Sequence, residues 1–209
     1  MQYKTTTQLF KGTYQYKIVL ICASAGWFRG NDFDTALDKL KKVNLESPNT
    51  NYWGGRHIKT QEQLDYAFKL QHQLSLLKDI EVRVEDPWVS VYTNDIDNIN
   101  SLINLDPNNV KYVCKPANNV SLSSDTIVMP KMPYDYRVTL SKTTQENTAF
   151  VQWASTNKNV KLTKSCIKDL SKPRSWGGTH FYVSGDNNLL MTKMHLGSSI
   201  SKIQRIIKA

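Results

Sequence analysis

Glu81, Arg83 and Glu85 alternate along one short segment, with Asp79 and Asp86 at its ends. Residues two apart on a strand share a face, so these three side chains would point the same way. A metal-dependent nuclease needs two or three carboxylates converging on Mg²⁺, commonly with a basic residue beside them. Asp79, Glu81 and Glu85 are the residues that would serve, with Arg83 where a lysine is usual. The same alternation also describes the solvent face of an amphipathic strand, and that simpler account is preferred.

Four histidines (His57, His72, His180, His195) and three cysteines (Cys22, Cys114, Cys166) are the other reactive side chains. No CxxC, GxSxG or Cys-His signature joins them. His180 and His195 read as lying on successive strands of one hairpin, where a pair could share a metal or act in phosphodiester cleavage. Without a third ligand a structural role is the simpler reading. The scattered cysteines read as buried, reduced thiols in a cytoplasmic setting, of the host or the virion if the chain is viral. No catalytic residue, metal or cofactor is assigned.

Phosphate-binding loops are also absent. Ala25 to Asp32, AGWFRGND, has two glycines between a strand and a helix, where an anion could meet a helix N-terminus beside Arg29. Its spacing matches no nucleotide motif. Two further tetrads draw notice, Trp53-Gly54-Gly55-Arg56 before His57 and Trp176-Gly177-Gly178-Thr179 before His180. Each suits a turn in which glycines take positive φ and the indole covers a core edge. The functional alternative is an aromatic loop that stacks on a base or sugar.

Charge is the stronger signal. The chain of 209 residues carries a formal net charge of +9. Residues 1–107 hold 12 Lys+Arg against 13 Asp+Glu, and residues 108–209 hold 15 against 5. The whole excess lies in the second half, which favours an anionic partner there. Lysines bind phosphates and release counterions, and interleaved aromatics stack on unpaired bases. The residues assigned to this role are Lys161, Lys164, Lys168, Lys172 and Arg174 as phosphate contacts, with Trp176 and Tyr182 as stacking platforms. The Gly-aromatic pattern of RNA-recognition sheets is absent, as are zinc-finger and basic-zipper patterns.

These residues need elements to position them. Tyr16 to Ser24 is apolar and β-branched and reads as a central strand, too short to span a bilayer. Helices are expected over 32–43, over 61–78 behind the cap Thr60, and over 95–105. Ile80 to Pro87 and Trp88 to Asn94 read as a hairpin. Val110 to Pro116 reads as a connecting strand, and 126–135 as an extended linker. The second half repeats with a strand at 135–142, a helix at 145–156, a short strand at 159–164 and a short helix over 165–172, capped by Thr163 or Ser165. HFYVSG and LLMTKMHLG read as a hairpin, and SSISKIQRIIKA as a closing amphipathic helix.

The two halves then share one order of elements. YKIVLIC matches YRVTLSK, HIKT matches VKLT, VRVEDPWVSVYTN matches FYVSGDNNLLMTKMH, and DIDNINSLI matches SSISKIQRI. The expected fold is α/β (α+β), with two similar small subdomains, each a mixed or antiparallel sheet with helices packed on it, and a possible internal duplication. Residues 1–107 form the near-neutral subdomain, 108–133 a connecting segment, and 134–209 the basic subdomain. The expected function is non-enzymatic binding of DNA or RNA, with a viral or phage flavour in the Asn- and Lys-rich composition. The alternatives are an assembly protein, self-associating or docking an acidic partner, and the metal-dependent nuclease. No membrane association is expected.

Overall fold

The computed structural model describes residues 1–46, 58–117, 120–142, 147–172 and 177–208. The chain divides into two units, Met1–Ser121 and Leu122–Ala209. The first contains β1 (Gln2–Thr6), β2 (Tyr16–Ile21), α1 (Phe33–Lys41), α2 (Gln61–Leu76), β3 (Glu81–Glu85), β4 (Trp88–Thr93), α3 (Ile96–Leu105) and β5 (Val110–Pro116). The second contains β6 (Thr126–Val128), β7 (Tyr136–Leu140), α4 (Thr148–Thr156), β8 (Val160–Lys161), α5 (Lys164–Leu170), β9 (His180–Val183), α6 (Asp186–Leu196) and β10 (Ile200–Ile207).

Local chemistry sets the helix starts. The Asp32 carboxylate accepts from the Thr35 amide at 3.0 Å, and the Thr60 hydroxyl accepts from the Gln63 amide at 3.3 Å. Asp95 caps α3 through the Asp97 amide at 2.9 Å. Lys39 and Lys41 sit in the last turn of α1, where the helix dipole favours cations.

Each unit builds a five-stranded sheet, and the two sheets have the same plan. The orders are β1-β5-β2-β4-β3 and β6-β10-β7-β9-β8. β1 runs parallel to β5, and β6 parallel to β10; every other neighbouring pair is antiparallel. Without the first strand, each unit orders its strands fourth-first-third-second, which is the split β-α-β arrangement. Both also carry a register shift where the last strand begins. It falls between Val19 and Leu20 opposite β5, and between Ile200 and Lys202 opposite β7. Two similar subdomains of mixed sheet and helix are therefore present. They differ in one link: β3 turns directly into β4 at Asp86-Pro87, whereas α5 lies between β8 and β9.

Each core lies on one side of its sheet. Ile18, Leu20, Val89 and Val91 pack with Phe28, Leu70, Leu74 and Leu102 in the first unit. Val138, Leu140, Phe181 and Val183 pack with Phe150, Cys166 and Leu170 in the second. The three cysteines are free and buried. No helix among the described residues is long and apolar enough to cross a membrane.

Several expected elements are corrected. Residues 108–133 are no simple connector, because β5 lies inside the first sheet and β6 on the edge of the second. LLMTKMHLG is helical, not a strand. Gly185 takes φ 77 before it, and Leu189, Thr192 and Leu196 form its buried stripe. SSISKIQRIIKA is the strand β10. Its Ile200 and Ile203 are three apart, as on a helix, yet the bulge puts both on the core side. Consequently β10 corresponds to β5 and α6 to α3. The short strand β8 corresponds to β3, and Ile58 to Thr60 form no strand.

The second Trp-Gly-Gly tetrad resolves in part as a structural corner. The Gly178 amide donates to the Leu140 carbonyl at 2.8 Å, and the Leu140 amide donates to the Thr179 carbonyl at 2.8 Å. Gly178 takes φ 103. The Thr179 hydroxyl donates to the buried Asp169 of α5. A Cβ on Gly177 would meet the Ser141 carbonyl carbon at 2.6 Å, so only glycine fits there. The first tetrad, His57 and Trp176 lie outside the described residues. Gly177→Ala is expected to destabilise the second unit by about 1–3 kcal/mol, because backbone must yield to the new methyl. Urea unfolding of the variant beside the wild type checks this.

Candidate nucleic-acid interface

Helices cover one side of each sheet, and the register fixes what stands on the other. In the first unit Lys17 faces Tyr92 on β4 and Cys114 on β5. In the second, Arg137 faces Tyr182 on β9 and Gln204 on β10. A basic residue on the central strand therefore meets a tyrosine on the same neighbour in both units. Each tyrosine is also covered by an aromatic from the link before that central strand. Phe10 and Tyr14 lie 5.6 and 6.4 Å from the Tyr92 ring, and Tyr134 stacks on Tyr182 at 6.1 Å.

This arrangement corrects one assignment. Tyr182 is only 9% exposed, packed with Ile127, Ile206 and Tyr134. Its ring already holds a stacking partner, so it is no free platform for a base. Lys161 stands opposite Tyr182 on the edge strand and is exposed. Lys164 and Lys168 lie one turn apart on the outer side of α5, while Cys166, Asp169 and Leu170 turn inward. Lys172 is exposed just beyond the helix. None of these four lysines has an ion pair among the described residues. Arg174 and Trp176 lie outside the described residues.

The first unit carries basic and aromatic side chains that its near-neutral charge hides. Lys111 places its Nζ 3.2 Å from the Trp88 ring centroid, and Lys4 lies 3.9 Å from that of Tyr112. Lys17 lies within 5.3 to 5.9 Å of the Tyr92, Tyr112 and Phe10 rings. Burial pulls the Lys17 pKa down, but the Tyr112 and Tyr92 hydroxyls more than offset it, so it is held above the ordinary lysine value. The signal for this surface was the alternation of WVSVYT with the aromatic of VKYVC, which the fold puts on one side of the two strands that flank β2.

The other reactive groups are dispersed. His195 lies on α6, not on a strand beside His180, and stacks on Trp153 at 5.4 Å. Glu81 pairs with Lys11, and Glu85 with Arg83 at 2.6 Å. Among the described residues no group of three or more His, Cys, Asp or Glu could hold a metal ion. A cleft of about 680 Å³ in the first unit is lined by Ile21, Lys59, Glu62, Tyr66 and Asp106 among others. The buried Tyr66 hydroxyl has no hydrogen-bond partner among the described residues. Burial pushes its pKa up, which keeps it a proton donor.

No family model, curated protein or solved structure matches this chain. The site therefore rests on its own geometry.

On the second sheet, the Arg137 Nη2 lies 3.3 Å from His180 Nδ1, and the His180 ring meets Tyr182 edge-on at 5.6 Å. Burial, then the Arg137 charge, lowers the His180 pKa from 6.5. The imidazole is thus neutral at pH 7, and Nδ1 can accept from the guanidinium. A folded-state pKa below the unfolded one means that the unfolded chain protonates first as pH falls. The second unit is expected to lose stability as pH drops from about 6.5 through the folded-state value. Thermal unfolding of wild type and His180→Gln at pH 7.5 and 5 checks this, with a smaller loss expected in the variant.

Proposed function

We propose that this chain is a non-enzymatic nucleic-acid-binding protein whose second unit supplies the phosphate contacts. One observation carries the reading. Lys161, Lys164, Lys168 and Lys172 are exposed along β8 and α5, without ion pairs among the described residues. They belong to a unit with 13 Lys+Arg against 5 Asp+Glu. Unneutralised lysines clustered on one edge attract a polyanion and release its counterions. Arg174 lies close in sequence to this group and is included in it. The free cysteines suit a reducing, cytoplasmic setting.

A second reading has its own observation. On α6, Leu190, Met191 and Met194 are 58, 39 and 71% exposed. Exposed apolar side chains on one short helix favour an assembly role. That reading expects sedimentation velocity to show self-association in nucleic-acid-free protein, abolished by Met194→Asp. A monomer at every concentration removes its support.

The lead reading is tested by anisotropy of labelled DNA and RNA. Wild type is expected to bind at low salt, with affinity falling steeply as salt rises. Changing Lys164, Lys168 and Lys172 together to Glu is expected to abolish binding at about 0.15 M salt with an unchanged unfolding midpoint. Wild-type affinity in the folded triple variant removes this edge as the phosphate site.

A further inference from the structure

We infer that the helix-free side of the first unit's sheet is a second contact surface, and that it selects single-stranded nucleic acid. This inference rests on the nucleic-acid reading above, but on different residues. Trp88 on β4 and Tyr112 on β5 stand on the same side of the sheet, flanking β2. Two strand spacings, about 10 Å, separate them laterally, so each ring can take its own base. Both rings are half-buried, whereas Tyr92, beyond Ser90 on β4, is buried beneath Phe10 and Tyr14.

Cations already sit on these rings. Lys111 and Lys4 hold their ammonium groups 3.2 and 3.9 Å from the Trp88 and Tyr112 centroids. Both lysines are exposed, and neither has a carboxylate partner among the described residues. An exposed ammonium–ring contact is weaker than the stacking of a base on the same ring. An arriving base therefore displaces the ammonium, and the freed charge lies within reach of the adjoining phosphate. Lys17 stays with Tyr92 and Tyr112 and keeps positive charge beside the Tyr112 ring.

This chemistry separates single strands from duplexes. A duplex keeps its base faces stacked on one another, so it offers a sheet-borne ring nothing to stack on. The phosphate contacts of the second unit apply to both. DNA and RNA share the required base faces, and paired arms of the test separate them.

The experiment uses the full chain, with oligo-dT, oligo-rU and a duplex of equal length. Wild type is expected to prefer a single strand, and binding to quench tryptophan fluorescence. Tyr112→Ala is expected to weaken single-strand binding about tenfold and to change duplex binding less than twofold. Trp88→Phe, which keeps a smaller ring, is expected to weaken single-strand binding less than Tyr112→Ala and to reduce the quench. Lys4→Gln with Lys111→Gln, both on exposed side chains, lowers the single-strand salt slope by about 1.4 and keeps the test decisive if Tyr112→Ala unfolds. Wild-type behaviour of the folded variants, while the Lys164, Lys168 and Lys172 variant loses binding, overturns this surface and leaves the phosphate edge standing. No binding of any oligonucleotide by wild type at low salt overturns both.

Discussion

Each sheet here is covered by helices on one side only, and that constraint governs the rest of the molecule. The central strands β2 and β7 bury their alternate residues completely on the covered side, with Ile18, Leu20 and Val138 at 0% exposure. Their other residues are not all apolar, since no helix of the same unit among the described residues lies over them, although Val19 there is apolar and 2% exposed. They also cannot be small and polar throughout, because the middle of a five-stranded sheet is far from solvent. Long side chains with an apolar stem and a polar tip solve the problem. Lys17 and Arg137 are those side chains, and each lies across from a tyrosine. The composition that makes this side a candidate binding surface is thus first a solution to a packing problem.

The same solution recurs because the backbone plan recurs. Strand order, strand sense and the bulge at the start of the last strand coincide in the two units. A bulge reverses the facing of everything before it relative to everything after it. In β10 it lets Ile200 and Ile203 share the core while Lys202 and Gln204 turn to the other side. In β5 it lets Val110 and Val113 face the core while Tyr112 turns away. The position of one inserted residue therefore decides which side chains the helix-free surface presents. The units diverge where α5 separates β8 from β9, and that insertion carries the exposed Lys164, Lys168 and Lys172.

The parts of this fold legible in the sequence were those where local signals agree. Thr60 and Asp95 cap helices that begin within a residue of where expected, and YKIVLI and YRVTL were paired correctly as equivalent central strands. Reading failed where tertiary context outweighed period. The isoleucines of β10 have helical spacing only because a bulge changes parity, and β-branched residues suit a strand regardless. LLMTKMH follows Gly185-Asp186-Asn187, a hairpin-turn signal, yet Leu and Met are strong helix formers and the chain enters a helix after Gly185. For the candidate surface, the exposed lysines of α5 followed from their spacing. The burial of Tyr182 did not, because Tyr134 comes from the link before β7. The Trp88 and Tyr112 surface was missed since a near-neutral charge count averages over the two sides of a sheet.

Lys164 of α5 runs against the local interests of its own helix. A seven-residue helix has little intrinsic stability and depends on its cap and its packing. Thr163 supplies the cap to the Cys166 amide at 3.2 Å, and Cys166, Asp169 and Leu170 supply the packing. Lys164, in contrast, puts a cation in the first turn, where the dipole opposes it, and no acidic residue is there. Lys168 follows one turn later, so two like charges repel at the spacing where opposite charges would stabilise by about 0.2–0.5 kcal/mol. The dipole favours Lys168, which lies in the last turn, so it is Lys164 and the like-charge spacing that work against the helix. Local rules are most often broken where something outside the fold gains, and two outward-facing lysines on a capped, well-anchored helix present their charge at small cost to the unit that bears them.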